Sequence, residues 1–165
     1  MAENLFISND SKKQALLISN DSKKQTLIIF TDGGARGNPG PAAIGFVVKD
    51  SQGKILVKFG KYIGRATNNV AEYQAVVEAL GWLEKNYSPA ELTQWRINFY
   101  LDSKLVANQL SGKYKIKDFK LKKLIVEVKE LEKKISSKIV YYFISREKNY
   151  HADLLVNQVL NGKNY

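Results

Sequence analysis

Residues 26–41 read TLIIFTDGGARGNPGP. An unbroken run of apolar and β-branched residues closed by turn formers predicts a buried strand over Thr26–Asp32. The GGARGNPGP cluster that follows is turn sequence, since Gly and Pro supply backbone conformations that strands and helices avoid. Downstream, AIGFVVK (43–49) and KILVKFGKY (54–62) predict two more strands, with a hairpin turn at Asp50–Gly53. Thr67 or Asn68 can cap a helix that runs to about Asn86 and is stopped by Ser88-Pro89. RINFYL (96–101) predicts another strand, and Ser103 then caps a short helix to about Leu110. Over Lys120–Lys134, Leu121, Leu124, Ile125, Val128 and Leu131 share one helical face and lysines take the other. KIVYYFIS (138–145) is the last strand and Tyr150–Leu160 the closing helix. Three adjacent strands followed by strand–helix alternation predict an α/β domain: a mixed five-stranded sheet, antiparallel first and then parallel, with helices on both sides.

Upstream of this domain, which we take as residues 25–165, the chain repeats itself. ISNDSKKQAL (7–16) recurs as ISNDSKKQTL (18–27), a period of 11, and LFISND, LLISND and LIIFTD end at Asp10, Asp21 and Asp32. Only the third copy is followed by the Gly-rich turn. Residues 1–24 are therefore a tail of duplicated strand sequence, read either as a mobile extension or as an added strand or hairpin on the domain.

Composition narrows the partners. The 165 residues suit one domain, and 44% hydrophobic with 25% charged residues is ordinary for a folded protein. No apolar run approaches the roughly 18 residues of a membrane span, and the amino terminus lacks a secretory pattern, so the expected location is cytoplasmic. With no cysteine and one histidine, a metal would be held by oxygen ligands or by His151, which favours magnesium, with manganese as substitute. A net charge of +10 points to a polyanionic partner, nucleic acid being the commonest.

Four acids stand where strands end or helices begin: Asp32 after the first strand, Asp102 after NFYL, Glu72 in the first turn of its helix, and Asp153 opening the last helix. Parallel strands ending in Asp put both carboxylates at one sheet edge, the usual ligand side of open α/β sheets. Brought together, such acids repel one another, and divalent cations neutralise them. Each acid alone has a plainer reading as a turn residue, a helix cap or a partner of the helix dipole, and spacing alone leaves function open.

FTDGGARGNPGPAAIGFV, TNNVAEYQAVVEAL, LDSKLV and REKNYHADLLVN resemble, in order, the four sequence blocks of type 1 ribonuclease H, over roughly Gln25 to Leu160. The resemblance implies a ribonuclease H-like fold and hydrolysis of the RNA strand of RNA–DNA hybrids by two metal ions, leaving 5′-phosphate and 3′-hydroxyl ends. It assigns Asp32, Glu72, Asp102 and Asp153 to the metals. Asp32 and Asp102 would be central, Glu72 would also position a 2′-hydroxyl, and Asp153 would hold the metal that activates water. It further implies substrate contacts at Gly33, Asn38, Asn68 and Asn69, and a pocket for a DNA-strand phosphate at Arg65 and Thr67. Turn and cap chemistry is the alternative for the asparagines.

Two departures from the family pattern stand out. GKYKIKDFKLKKL (112–124) leaves little room for the basic, Trp-containing protrusion that bacterial and human relatives often carry; Lys113–Lys123 either replaces it as a phosphate-facing patch or is a solvated helix face. Phe143 stands where the family's mobile-loop histidine is expected. The chain resembles a compact subgroup of archaeal and bacterial enzymes, with Arg146 the candidate substitute and His151 more simply a surface residue. The leading expectation is a monomeric, hybrid-specific endoribonuclease. Alternatives are an enzyme that also cuts double-stranded RNA, a non-catalytic hybrid-binding module, and a nuclease domain released from a larger reverse transcriptase or transposase; the start at Met1 favours a stand-alone protein.

Overall fold

Alternate burial along Thr26–Ala35, with Leu27, Ile29 and Thr31 turned inward, places this segment as a strand between two layers. The computed structural model describes residues 5–8 and 25–162. Its strands are β1 (Leu5–Ser8), β2 (Thr26–Ala35), β3 (Gly40–Lys49), β4 (Ile55–Ala66), β5 (Arg96–Leu101) and β6 (Lys138–Phe143). Its helices are α1 (Asn68–Asn86), α2 (Pro89–Leu92), α3 (Lys104–Leu110), α4 (Phe119–Ile135) and α5 (Tyr150–Asn161), with a 3₁₀ turn at Arg146–Asn149. No helix among the described residues is long and apolar enough to cross a membrane.

The sheet order is β1-β4-β3-β2-β5-β6. The β2–β3–β4 meander is antiparallel and β2–β5–β6 is parallel, which is the expected five-stranded mixed sheet. Leu5–Ser8, from the first repeat copy, adds a sixth strand, antiparallel to β4 and paired from Leu5↔Gly60 to Ser8↔Val57. The rest of the tail, residues 1–4 and 9–24, lies outside the described residues.

Helices α1, α3 and α4 cover one face of the sheet, where Leu27, Ile29, Phe46, Val48, Tyr73, Val76, Leu80, Leu83, Phe99 and Val128 form the main core. Helix α5 covers the other face of β2–β4 through Val156, Val159 and Leu160 against Ala43. Strand β3, sandwiched between α1 and α5, is buried at nearly every position, as expected for a strand covered on both faces. A Cβ at Gly45 would lie 2.8 Å from the Ala152 carbonyl oxygen, so the missing side chain lets the start of α5 settle against the sheet. That seating brings Asp153 towards Asp32.

Two expectations are corrected and a third is extended. Strand β2 does not end at Asp32 but continues to Ala35, because Gly33, Gly34 and Ala35 still pair with Ile44, Ala43 and Ala42 of β3; only its parallel pairing with β5 stops at Thr31↔Leu101. Helix α1 starts at Asn68 with Thr67 as N-cap, so Glu72 lies in the second turn rather than the first. Ser88-Pro89 does more than stop α1: Ser88 and Glu91 close a capping box that starts α2.

Candidate active site

Strands β2 and β5 run parallel, and past their last paired residues they present Asp32 and Asp102 at the same edge. Gly33 decides how near α1 can come. A Cβ there would stand 2.1 Å from the Ala71 carbonyl carbon and 2.3 Å from the Glu72 nitrogen, so only glycine admits the helix at this depth. As a result Glu72 reaches the two aspartates from the opposite layer. Carboxylate oxygens of Asp32, Glu72 and Asp102 lie within 4.8 Å of one another.

Burial and mutual repulsion show in their acidities. Asp32 is 6% exposed, and its carboxyl is pushed up to about 7 by burial first and then by the Asp102 and Asp153 charges. Glu72 is raised well above the usual range by burial, with Asp32 and Asp102 adding, and burial raises Asp102 as well. Glu72 and Asp102 lie within hydrogen-bonding range, an arrangement that needs a proton on one of them when no cation is present. Glu72 Oε2 is buried without a hydrogen-bond partner, and a buried acceptor left bare is costly. An oxygen-only donor set with one orphaned oxygen and three crowded charges fits a hard divalent cation.

Asp153, in the first turn of α5, lines the same open cleft of about 520 Å³ as the other three acids. It is not within the three-carboxylate cluster. Its Oδ1 accepts from Arg146 Nη2 at 2.7 Å and Nε at 3.1 Å, and its Oδ2 accepts from Asn157 Nδ2 at 3.0 Å.

The other candidates divide. Asn68, Asn69 and Gly33 line the cleft. Asn68 Oδ1 accepts from Ala35 N at 2.9 Å, and Asn38 Oδ1 from Asn68 N at 3.1 Å, so both join the Gly-rich turn to the start of α1. Thr67 caps α1 by accepting from Val70 N at 3.3 Å, and Arg65 Nη2 reaches the Pro39 carbonyl at 3.4 Å. Cap and turn chemistry thus accounts for what Asn38, Asn68 and Thr67 do within the fold. His151 is exposed; its pKa is lowered by partial burial first and then by the Lys49 and Lys58 charges, so its charged neighbours are those lysines rather than the acids. Phe143 is 51% exposed on the last strand.

One residue absent from the sequence reading is Asn149. It is fully buried, donates to the Thr31 carbonyl at 2.9 Å and stands beside Asp102, where its amide opposes the rise that burial imposes on that carboxyl. Its only signal in the chain is a position four residues before Asp153, where asparagine reads as an ordinary helix cap.

Comparison with known proteins agrees with this geometry. Residues 30–159 match the family model described as reverse transcriptase-like. A bifunctional protein of Mycobacterium tuberculosis is 38% identical over 132 residues, covering 79% of this chain and 34% of that protein. Ribonuclease HI of Halobacterium salinarum is 37% identical over 131 residues, covering 79% of this chain and 62% of the relative. The chain thus spans about a third of the first relative's length and under two thirds of the second's. The crystal structure of the halobacterial ribonuclease H1 superposes with a TM-score of 0.76 at 35% identity, over 84% of this chain and 99% of that one. LC11 ribonuclease H1, isolated from compost by a metagenomic approach and solved in complex with RNA/DNA hybrid, gives 0.77 at 40% identity, over 82% and 96%. The domain is a ribonuclease H-type α/β fold with an acidic cluster at the edge of its sheet. The chain belongs to the type 1 ribonuclease H family.

Proposed function

We propose that this chain is an endoribonuclease that hydrolyses the RNA strand of RNA–DNA hybrids with two divalent cations, Mg²⁺ or in its place Mn²⁺. The supporting observation is the convergence of Asp32, Glu72 and Asp102 oxygens within 4.8 Å, with Asp153 on the same cleft. Asp32 and Asp102 would hold the cations centrally, Glu72 one side and Asp153 the other. When bound, the cations supply charge neutralisation and Lewis acidity for in-line attack of water on a phosphodiester.

The protein's own part is positioning. Asn149 sets the Asp102 carboxylate against β2, and Gly33 sets the depth of Glu72. With their carbonyl oxygens engaged in the fold, Asn38 and Asn68 retain their NH₂ groups to donate to 2′-hydroxyls and base edges in the minor groove, beside exposed Asn69. Arg65, near Thr67, offers a guanidinium for a DNA-strand phosphate. Arg146 supplies a cation at the rim of the cleft. The lysines of 113–123 add to the net positive field that attracts a hybrid in the cytoplasm.

The test is the chemistry of the cut ends. RNA fragments carrying 5′-phosphate and 3′-hydroxyl are expected. A 2′,3′-cyclic phosphate would mean that the substrate's own 2′-hydroxyl attacked, and would overturn the water mechanism.

A further inference from the structure

Both carboxylate oxygens of Asp153 are answered by side-chain donors. Arg146 takes Oδ1 through two nitrogens and Asn157 takes Oδ2. The two ends of the ion pair differ: the Arg146 side chain is 77% exposed, that of Asp153 23%. Arg146 comes from the 3₁₀ turn and lines the cleft with the acids, so its charge also acts on Asp32 and Asp102.

We propose that Arg146 is the resident counter-ion of Asp153. It occupies the charge position that a second divalent cation would take, and yields Asp153 when its guanidinium turns to a substrate phosphate. This rests on the reading of Asp153 as a cation ligand.

Three physical points carry the exchange. An ion pair this open to water is weakly held, so releasing it is cheap. The guanidinium keeps its charge at any working pH and its planar fork matches the paired oxygens of a phosphodiester as well as it matches a carboxylate. Arg146 sits on an exposed arm at the rim, so a change of partner needs rotamer motion only. Among the described residues the Asp32–Glu72–Asp102 cluster has no such ion pair, so the free protein should take its first cation there and resist a second. Arg146 is then a positioning residue that couples loading of the Asp153 side to arrival of the phosphate.

The test counts Mn²⁺ binding to the full chain without nucleic acid, by the EPR signal of free Mn²⁺. We expect one tighter and one weaker site in the native chain. In Arg146→Ala the weaker site should tighten roughly three- to ten-fold, through loss of both the ion pair and the repulsion of a +1 charge. Asp153→Asn should lack the weaker site in either background, and Arg146→Lys, still charged, should stay near the native curve. Identical isotherms for the native chain and Arg146→Ala would overturn the proposal. Isotherms unchanged by Asp102→Asn would instead overturn the cation reading of the whole cluster, and the proposal with it.

Discussion

The side-chain amide of Asn149 donates to the main-chain carbonyl of Thr31 over 2.9 Å, fastening the turn before α5 to the strand residue next to Asp32. The same side chain stands beside Asp102 and opposes the rise of its carboxyl, so one buried amide lies where the chain segments that carry Asp32, Asp102 and Asp153 meet. Its own Oδ1 is buried without a partner, a cost the fold tolerates at this spot.

Asn149→Ala should therefore act on the site more than on the fold. Losing the buried hydrogen bonds should cost about 1–3 kcal/mol of stability. Groups that orient metal ligands typically lower metal affinity or activity about 10–100-fold when removed. Thermal melts beside Mn²⁺ titration would show both; a stability loss with unchanged cation affinity would reduce Asn149 to a structural residue.

Gly33→Ala should break the approach of α1. The added methyl would meet main-chain atoms of Ala71 and Glu72, which have no rotamer to yield, so the helix must shift. A destabilisation of about 1–3 kcal/mol or more is expected, with activity lost even in the folded fraction because Glu72 moves with its helix. Full activity in this variant would show that the depth of Glu72 is not critical.

Asn68 and Asn69 offer a contrast between fold and substrate. Asn68→Ala removes the acceptor of Ala35 N and should cost roughly 1 kcal/mol. Asn69 is exposed and lines the cleft, so Asn69→Ala should leave stability within about 0.5 kcal/mol while raising KM for hybrid several-fold. An unchanged KM would remove Asn69 from the substrate contacts.

Acidity gives a pH signature. Because the Asp32 carboxyl is raised from 3.8 to about 7 in the fold, the folded state binds a proton that the unfolded chain has already lost. Cation-free stability should be highest below the unfolded value and fall as pH rises towards about 7, by at most roughly 4 kcal/mol from this group. Glu72 and Asp102 are shifted the same way. Cation binding to the ionised acids should offset the loss, so the gap in Tm between Mg²⁺ and chelator should widen from pH 5 to pH 8. A gap independent of pH would contradict this.

Much of this was legible in the chain because it is local. Strand and helix periodicity locates β3, β4, β5, α3, α4 and α5 to within a few residues, and parallel strands ending in Asp put Asp32 and Asp102 at one edge, whereas Glu72 joins them in the sequence only through the family resemblance. What was not legible depends on tertiary pairing. Gly33–Ala35 has poor strand propensity and is extended only because β3 lies beside it. Asn149 looks like a cap until the turn folds under β2. The Arg146–Asp153 pair spans seven residues across a turn whose shape the sequence does not state. The Ser88–Glu91 capping box was visible, but the proline beside it was read only as a stop. Leu5–Ser8 pairs beside β4, a placement that the repeat by itself leaves undecided.

The most direct measurement compares cleavage of labelled RNA–DNA hybrid, double-stranded RNA, single-stranded RNA and double-stranded DNA, each with Mg²⁺, Mn²⁺ or chelator. Asp102→Asn is run alongside. We expect metal-dependent cutting of the hybrid's RNA strand alone, reduced on the order of 10³-fold or more in the variant because a group holding the catalytic charge is lost, with the duplex-RNA lane showing whether selectivity is strict. Tight hybrid binding with no cutting under any metal would contradict it and leave a hybrid-binding module.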